Sequence, residues 1–351
     1  MYERPEFWKT RLDEVKTVMD TVRKGTVKVA AKSAGGRDVY LVEYGEKQNF
    51  GGTANYSSAM GAGSIKYYAD KKGKKPVIYI IGAEHGDELE GTVAILNMIR
   101  MIETGKDFKG ETIPYLRDCI ENCRLLLIPI ANPDGRARME IDTLNRVPYE
   151  VFRHYAQGRW KDRSLCSWPM CKQVHPIKDH VSFLGAYFND DGVNIVHDNF
   201  FGKMASETQA IFDIAIDEAP DFTLHLHGAS CKNEIDCADY SPRVVKEIVQ
   251  QLKHNVTAEA DKHGLPTLLN KFREDDSNPP RTFNIMSALH HACGTVSMLY
   301  ECNQGVLKPE GEEELEEWEA MLTCDEILWQ LYILFEQTIR YAHELRGKGV
   351  M

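Results

Sequence analysis

Apolar positions along the chain fall into two alternating patterns, and their order outlines the fold. Val77 to Ile81 form an unbroken apolar run, as in an interior strand covered on both faces. In the segment that follows, Leu89, Val93, Leu96 and Arg100 share one helical side, and Ile95, Met98, Ile99 and Ile102 widen its apolar stripe. A second buried strand, Leu125 to Ile130, leads into the turn sequence Asn132-Pro133-Asp134-Gly135. Phe222 to Gly228 and Thr295 to Glu301 predict two further strands.

Helices are expected over 5–22, from 206 to about 219, over 241–262 and over 324–345. The first is amphipathic and reads as a peripheral element. The second opens on Ser206-Glu207-Thr208-Gln209, a capping-box pattern, and Pro220 closes it. The third ends at His263-Gly264, where glycine supplies the cap. Residues 26–46 read as a β-hairpin around Ala34-Gly35-Gly36, 51–64 as loop, and 140–180 as a long loop region with one short helix. Strands alternate with helices, and the unusual polar residues stand at carboxyl ends of strands. This pattern predicts an α/β protein with one mixed, largely parallel open sheet flanked by helices, in a single domain.

Composition narrows the field of partners. The 351 residues carry 42 Lys+Arg against 53 Asp+Glu, a formal charge of -11, which argues against a broad electrostatic grip on nucleic acid or on anionic lipid. No apolar signal core opens the chain and no long uncharged run interrupts it, so no membrane span is expected. Nine cysteines, irregularly spaced, suit a reduced cytoplasm. Cys119/Cys123 and Cys166/Cys171 have poor spacing for a zinc knuckle and are read as core thiols. The Asn255-Val256-Thr257 sequon sits in a helical pattern and is read as incidental.

The candidate chemistry gathers at the strand ends. His85 and Glu88 directly follow the 77–81 strand, three residues apart, and imidazole and carboxylate are standard zinc ligands. The third ligand is expected from Leu224-His225-Leu226-His227. Alternation places both histidines on one side; His227 is favoured because it lies nearer the strand end, before Gly228, with His225 orienting a ligand from behind. Glu301 ends an apolar strand, where a carboxylate is costly unless paired or poised for use, and suits a general base beside the metal. Arg159, Arg163 and Arg153 are the candidates for stabilising charge on an intermediate.

Taken together these segments resemble the zinc metallocarboxypeptidases, the carboxypeptidase A-like peptidase family M14, as a divergent member. GAEHGDELEG resembles the family's His-x-x-Glu zinc motif, IANPDG its Asn-Pro-Asp-Gly segment, and LHLHG the strand giving the last zinc ligand. SMLYECNQG resembles the strand of the catalytic glutamate, and KSAGGRDVYLVEYG the early Ser-x-x-Gly-Arg hairpin. The matches run in family order from residue 32 to 305. The resemblance implies a zinc carboxypeptidase-like catalytic domain over 26–346, preceded by an N-terminal helical extension over 1–25. It also implies one Zn2+ per chain on His85, Glu88 and His227, with Glu301 as general base, although Co or Mn can occupy such sites.

The substrate side departs from the family pattern. The family's Asn-Arg pair that clamps a terminal carboxylate would fall on Val196 and His197 of GVNIVHD, or, slipped, on Asn189-Asp190 of AYFNDDG. Neither restores the arginine, whose bidentate grip a histidine does not reproduce. The covering tyrosine has no match in MSALHHACG, where His290 or His291 would substitute as donor. His197, Asn189 and His290 are therefore the candidate substrate residues. Three functions compete: a carboxypeptidase with an altered pocket, an amidase or deacylase of small acylated peptides, and a non-catalytic metal-binding protein.

Overall fold

In the computed structural model the described residues are 4–52, 55–266, 283–309, 311, 314–315 and 319–350. The strands are β1 (Thr26–Lys32), β2 (Asp38–Tyr44), β3 (Val77–Gly82), β4 (Arg124–Ile128), β5 (Gly158–Trp160), β6 (Val181–Leu184), β7 (Phe222–Ala229), β8 (Glu234–Cys237) and β9 (Val296–Asn303). The helices are α1 (Leu12–Met19), α2 (Tyr56–Gly61), α3 (Glu90–Thr104), α4 (Pro114–Asp118), α5 (Pro133–Ala137), α6 (Tyr149–Ala156), α7 (Ser206–Glu218), α8 (Arg243–Lys262), α9 (Ile285–Cys293) and α10 (Cys324–Gly347).

One seven-stranded sheet runs in the order β1-β2-β4-β3-β7-β9-β8. Its centre, β4-β3-β7-β9, is parallel, while β2 against β4, β1 against β2 and β8 against β9 are antiparallel. The expected mixed, largely parallel sheet is what forms. Helices cover both faces, and side-chain alternation sorts the strand residues between them. Ile78, Ile80, Leu125, Leu127, Phe222, Leu224 and Leu226 join one apolar cluster with α3, α8 and α10. Val77, Tyr79, Ile81, Leu126 and Ile128 join a second with α7 and α9. His225 and His227 alternate with Leu224 and Leu226, so they face the α7/α9 side.

Helix α3 is seated on this sheet as closely as backbone allows. A Cβ on Gly91 would lie 2.6 Å from Leu226 Cβ, so glycine there lets the start of α3 rest on β7. That contact sets the distance between the loop before α3 and the end of β7. The loops at this edge interlock as well. Asp134 accepts from Ser33 Oγ (2.6 Å), Gly35 N (2.8 Å), Arg37 Nη1 (2.7 Å) and Asp190 N (3.0 Å), which joins the tip of the β1–β2 hairpin to the turn after β4.

Several elements differ from the expectations. The segment around 56–61 is helical rather than loop, because the Asn55 side chain caps it by accepting from Ser58 N and Ala59 packs inward. At α7 the cap position falls on Ala205, and Ser206 Oγ is diverted to the Lys32 carbonyl, so the expected capping box does not form. Gly228 does not end β7, which continues to Ala229; a Cβ there would press on the Gln304 side chain, 2.4 Å from its amide nitrogen. Residues 140–180 hold α6 and β5, which pairs with β6, and their surroundings include an apolar cluster of their own with Leu144, Phe152, Cys166, Cys171 and Ile177.

The N-terminal helix is shorter than expected, and the segment around it packs into the sheet's core. Phe7, Trp8, Val15, Val18 and Met19 belong to the main core. Arg136 Nε donates to the Thr10 carbonyl (2.8 Å) and Asn97 Nδ2 to that of Phe7 (3.1 Å). Glu14 holds the entry together, accepting from Arg4 at 2.8 and 2.7 Å and from the Thr10 and Arg11 amides at 3.0 Å each. Burial alone would raise the Glu14 carboxyl, but Arg4 and the two amides outweigh it and hold the group at about 2. A carboxyl depressed on folding stabilises the fold above its unfolded value, and that contribution disappears as pH falls through about 2. Glu14→Gln should therefore cost about 1–3 kcal/mol at pH 7. In urea titrations the gap from the parent protein should close between about pH 4.5 and pH 2; a gap independent of pH would show that the ionised form is not what matters.

Candidate metal centre

The loop after β3 turns sharply at Ala83, whose φ of 48° lies in the left-handed region and costs a non-glycine residue about 1 kcal/mol. Three neighbours hold that turn in place. Ala131 N donates to Gly82 O (2.9 Å), Asn132 N to Ala83 O (2.9 Å), and Gly86 N to Ala186 O (2.8 Å). A Cβ on Gly86 would meet Arg136 N at 2.1 Å, and one on Gly135 would meet Ala186 O at 2.2 Å, so both closures require glycine. His85 is thereby fixed at the carboxyl edge of the sheet, with Glu88 at the entry to α3 beside it.

His85, Glu88 and His227 converge there, all buried, with ligand atoms within 4.8 Å of one another. His85 Nδ1 lies 2.8 Å from Glu88 Oε1, and His227 Nδ1 lies 2.9 Å from Glu88 Oε2. The outer nitrogens are already committed as donors. His227 Nε2 donates to Glu84 Oε2 (2.8 Å). His85 Nε2 lies 3.3 Å from Asn194 Oδ1, an oxygen that also accepts from Val196 N (3.0 Å), so the histidine must be the donor. In the neutral rings both Nδ1 lone pairs therefore point at the Glu88 carboxylate, and Glu88 Oε2 finds no hydrogen bond despite its burial. Lone pairs facing a carboxylate need a positive charge between them, either a proton or a metal ion. Burial would depress the His227 imidazole, but Glu88 and Glu84 raise it well above its ordinary value. Two imidazoles and a carboxylate with a remaining open side form a donor set that fits catalytic zinc.

Behind the three ligands stands a buried relay. Glu84 is fully buried and accepts from His225 Nδ1 at 3.0 Å as well as from His227. The other His225 nitrogen meets Ser297 Oγ at 3.0 Å. Burial opposes ionisation of Glu84, but the two imidazoles prevail and hold its carboxyl well below the ordinary range. The buried Tyr187 stacks on His85 with ring centroids 3.9 Å apart and planes 9° from parallel.

Glu301 pairs in register with His227 across the parallel β7–β9 ladder, so both side chains leave the same face. Its Oε2 is buried without a hydrogen-bond partner. Burial, reinforced by Glu88 and opposed by His227, pushes the carboxyl up to about 8. A divalent cation among the neighbouring ligands would pull it back down.

A family model described as zinc carboxypeptidase matches residues 16–231, more than half of the chain. The chain belongs to the zinc carboxypeptidase family. A search among curated proteins finds no match. Among solved structures, a metallo-carboxypeptidase from Burkholderia cenocepacia is 13% identical with a TM-score of 0.57, covering 95% of this chain and 70% of that one. A metallo-carboxypeptidase from Pseudomonas aeruginosa is 10% identical with a TM-score of 0.57, covering 95% and 69%. The carboxypeptidase A of Helicoverpa armigera is 15% identical with a TM-score of 0.52, covering 98% and 75%. At these identities the structures establish the zinc carboxypeptidase fold for this chain and nothing finer.

The remaining candidate residues are placed unevenly. Arg159 donates to the Arg163 carbonyl (2.9 Å) and packs on His154, while Arg163 is exposed in the turn after β5. Arg153 spends its guanidinium on the Cys166 carbonyl and the Tyr149 ring. Arg153 and Arg159 thus spend their donors within their own loop region. Asn189 is buried, with its oxygen on the Asp191 and Val193 amides and its nitrogen on Glu207, so it shapes its own loop. His290 donates from Nδ1 to the Thr295 carbonyl (2.9 Å), just before β9 begins. Glu301 is six residues further on, about 20 Å along the strand, so His290 sits at the opposite edge of the sheet. His291 is packed against the Tyr56 and Phe283 rings.

His197 does lie close to the cluster, but uncharged. Burial, Lys172 and the nearby His85 and His227 push its imidazole down to about 2. It can hydrogen-bond a substrate yet cannot replace an arginine's charge. Glu84, Asn194 and Tyr187 were not anticipated. Asn194 occupies the third place of the GVNIVHD segment, and Glu84 directly precedes His85, so both stood within motifs already singled out.

Because Glu84 fixes which His227 nitrogen faces the ligand cluster, Glu84→Gln should weaken zinc binding roughly 10–100-fold. Competition against a chromophoric chelator measures this. Unchanged affinity with an unchanged melting temperature would remove Glu84 from that role.

Proposed function

We propose that the chain is a zinc-dependent hydrolase of peptide or amide bonds, with one zinc per chain held by His85, Glu88 and His227 and with Glu301 as the general base. The reading is carried by one observation: two imidazole lone pairs and a carboxylate meet in a buried pocket, and an unpartnered glutamate stands opposite His227 in register. Zinc, when bound, would polarise the scissile carbonyl and make water a stronger acid.

The chain's own groups supply the rest. His85 and His227, anchored by Asn194 and Glu84, keep their Nδ1 atoms aimed inward. Glu301 takes a proton from water on its free carboxylate oxygen and delivers it to the leaving nitrogen as the carbon–nitrogen bond breaks. Tyr187, stacked on His85, holds that ring's plane. Small peptides are the proposed substrates. All nine cysteines are free thiols, which supports a reducing compartment such as the cytoplasm. Among the described residues no helix is long and apolar enough to cross a membrane.

A second reading, an amidase or deacylase of blocked or acylated peptides, is favoured by one feature: neither segment matched to the family's clamp pair supplies an arginine, and His197 in one of them carries no charge at neutral pH. Mass analysis after incubating zinc-loaded protein with free peptides, C-terminally amidated peptides and N-acyl amino acids separates the two. Release of single terminal residues from free peptides alone supports a carboxypeptidase, and cleavage of blocked substrates supports the amidase. In either case Glu301→Gln should lower turnover about 10²–10⁴-fold with zinc content retained. Full activity in that variant would remove Glu301 as the base, and the lack of any turnover by zinc-loaded parent protein would favour a non-catalytic metal-binding role.

A further inference from the structure

We propose that Lys172 is the anion-binding residue of the substrate pocket and that the group it receives is a substrate carboxylate. The inference rests on the reading of the His85–Glu88–His227 cluster as the reaction centre and adds what that cluster acts upon.

A continuous aromatic wall leads from the metal ligands to this ammonium. Tyr187 stacks on His85, and Trp168 meets Tyr187 edge to face with ring centroids 6.0 Å apart. The Trp168 ring also lies 5.6 Å from that of His197, and the Lys172 Nζ sits 3.8 Å from its centroid. Two ring-to-ring steps thus connect a metal ligand with a positive charge. The segment carrying Trp168 and Lys172 is tied to the ligands by a separate hydrogen bond. His175 Nε2 accepts from the backbone amide of Asn194 (3.1 Å), the residue whose side chain holds His85. Turn bonds from Cys171 N to Ser167 O (2.7 Å) and from Lys172 N to Pro169 O (2.9 Å) fix the ammonium's stem within that segment.

The charge at this point has no internal use. Among the described residues no carboxylate lies within ion-pair distance of Lys172, although the chain has many more acidic than basic groups. Burial pulls the ammonium down only to about 8, with Cys171 opposing, so it remains largely charged at neutral pH. A half-buried cation supported by one aromatic face gains most from an anion arriving from outside. Trp168 is 44% exposed, which leaves the approach open. His197, near the ligand cluster, is neutral; Lys172 brings charge to the same neighbourhood from a different loop. As a point charge it grips a carboxylate without the two-pronged geometry of a guanidinium.

The test uses three near-isosteric probes with Glu301→Gln protein, which prevents turnover, titrated calorimetrically with and without zinc. N-acetyl-L-glutamine has a free α-carboxylate, N-acetyl-L-glutamate α-amide has only a side-chain carboxylate, and N-acetyl-L-glutamine α-amide has neither. At least one carboxylate probe should bind roughly 10–100-fold more tightly than the uncharged one, and which of them does so identifies a terminal or a side-chain group. Adding Lys172→Met should abolish this preference and Lys172→Arg should keep most of it, with zinc content and melting temperature unchanged. A preference surviving Lys172→Met, or none at the outset, would overturn the proposal. So would a Lys172→Met loss of kcat shared by all substrates of the otherwise native protein with the binding preference intact, since that assigns the ammonium to the reaction intermediate. If zinc fails to bind while the Lys172-dependent preference persists, the metal reading falls and the anion site stands.

Discussion

Two imidazole lone pairs and a carboxylate can share a dry pocket only when a positive charge stands among them, and much of the active edge of this protein is arranged around that constraint. The inward orientation of His85 and His227 is enforced from behind: Asn194 occupies the outer nitrogen of one ring and Glu84 that of the other. Each anchor is itself held, Asn194 by the Val196 amide that fixes its oxygen and Glu84 by His225, which leans on Ser297. The chain of support ends in the sheet itself, since His225 and Ser297 are strand residues with buried apolar neighbours in sequence. A site assembled this way is positioned by backbone register more than by loop packing.

The same edge sorts its acidic groups by environment. Glu84 and Glu88 are held below the ordinary carboxyl range by the imidazoles they face, whereas burial drives Asp87 well above it and Glu90 and Glu301 up to about 8. Groups in contact with the histidines stay ionised and serve to hold or bind. Glu301, raised by burial and in register with His227, keeps one buried oxygen free of any hydrogen bond. Such separation of neighbouring carboxyls is how a single fold assigns a fixed charge to one and a mobile proton to another.

The sheet, its central parallel strands and the meeting of His85, Glu88 and His227 were legible because each rests on a short-range signal: unbroken apolar runs, period-two alternation, and polar side chains at strand ends. Alternation placed His225 and His227 on one side, and the register with β9 brings Glu301 opposite. What could not be read depends on contacts distant in sequence. Ser206 has the chemistry of a cap but is drawn to Lys32, 174 residues away. His290 has the chemistry of a donor but belongs to α9, which meets the amino-terminal end of β9. Arg153 and Arg159 resemble intermediate-stabilising groups on paper, yet they donate to nearby carbonyls, and Arg163 is exposed. Residue type was informative where the backbone had already decided direction, and misleading where a loop decides it.

The segment bearing Trp168 and Lys172 folds over an apolar cluster separate from the two that sandwich the sheet. Cys166 and Cys171 are anchored in that small core, and the segment touches the ligand edge through few polar bonds. Changes in it can alter the surroundings of Trp168 and Lys172 while leaving His85, Glu88 and His227 alone, because the two rely on different buried surfaces. Diversification of substrate choice within such a scaffold, by natural drift or by grafting in the laboratory, would therefore proceed fastest there.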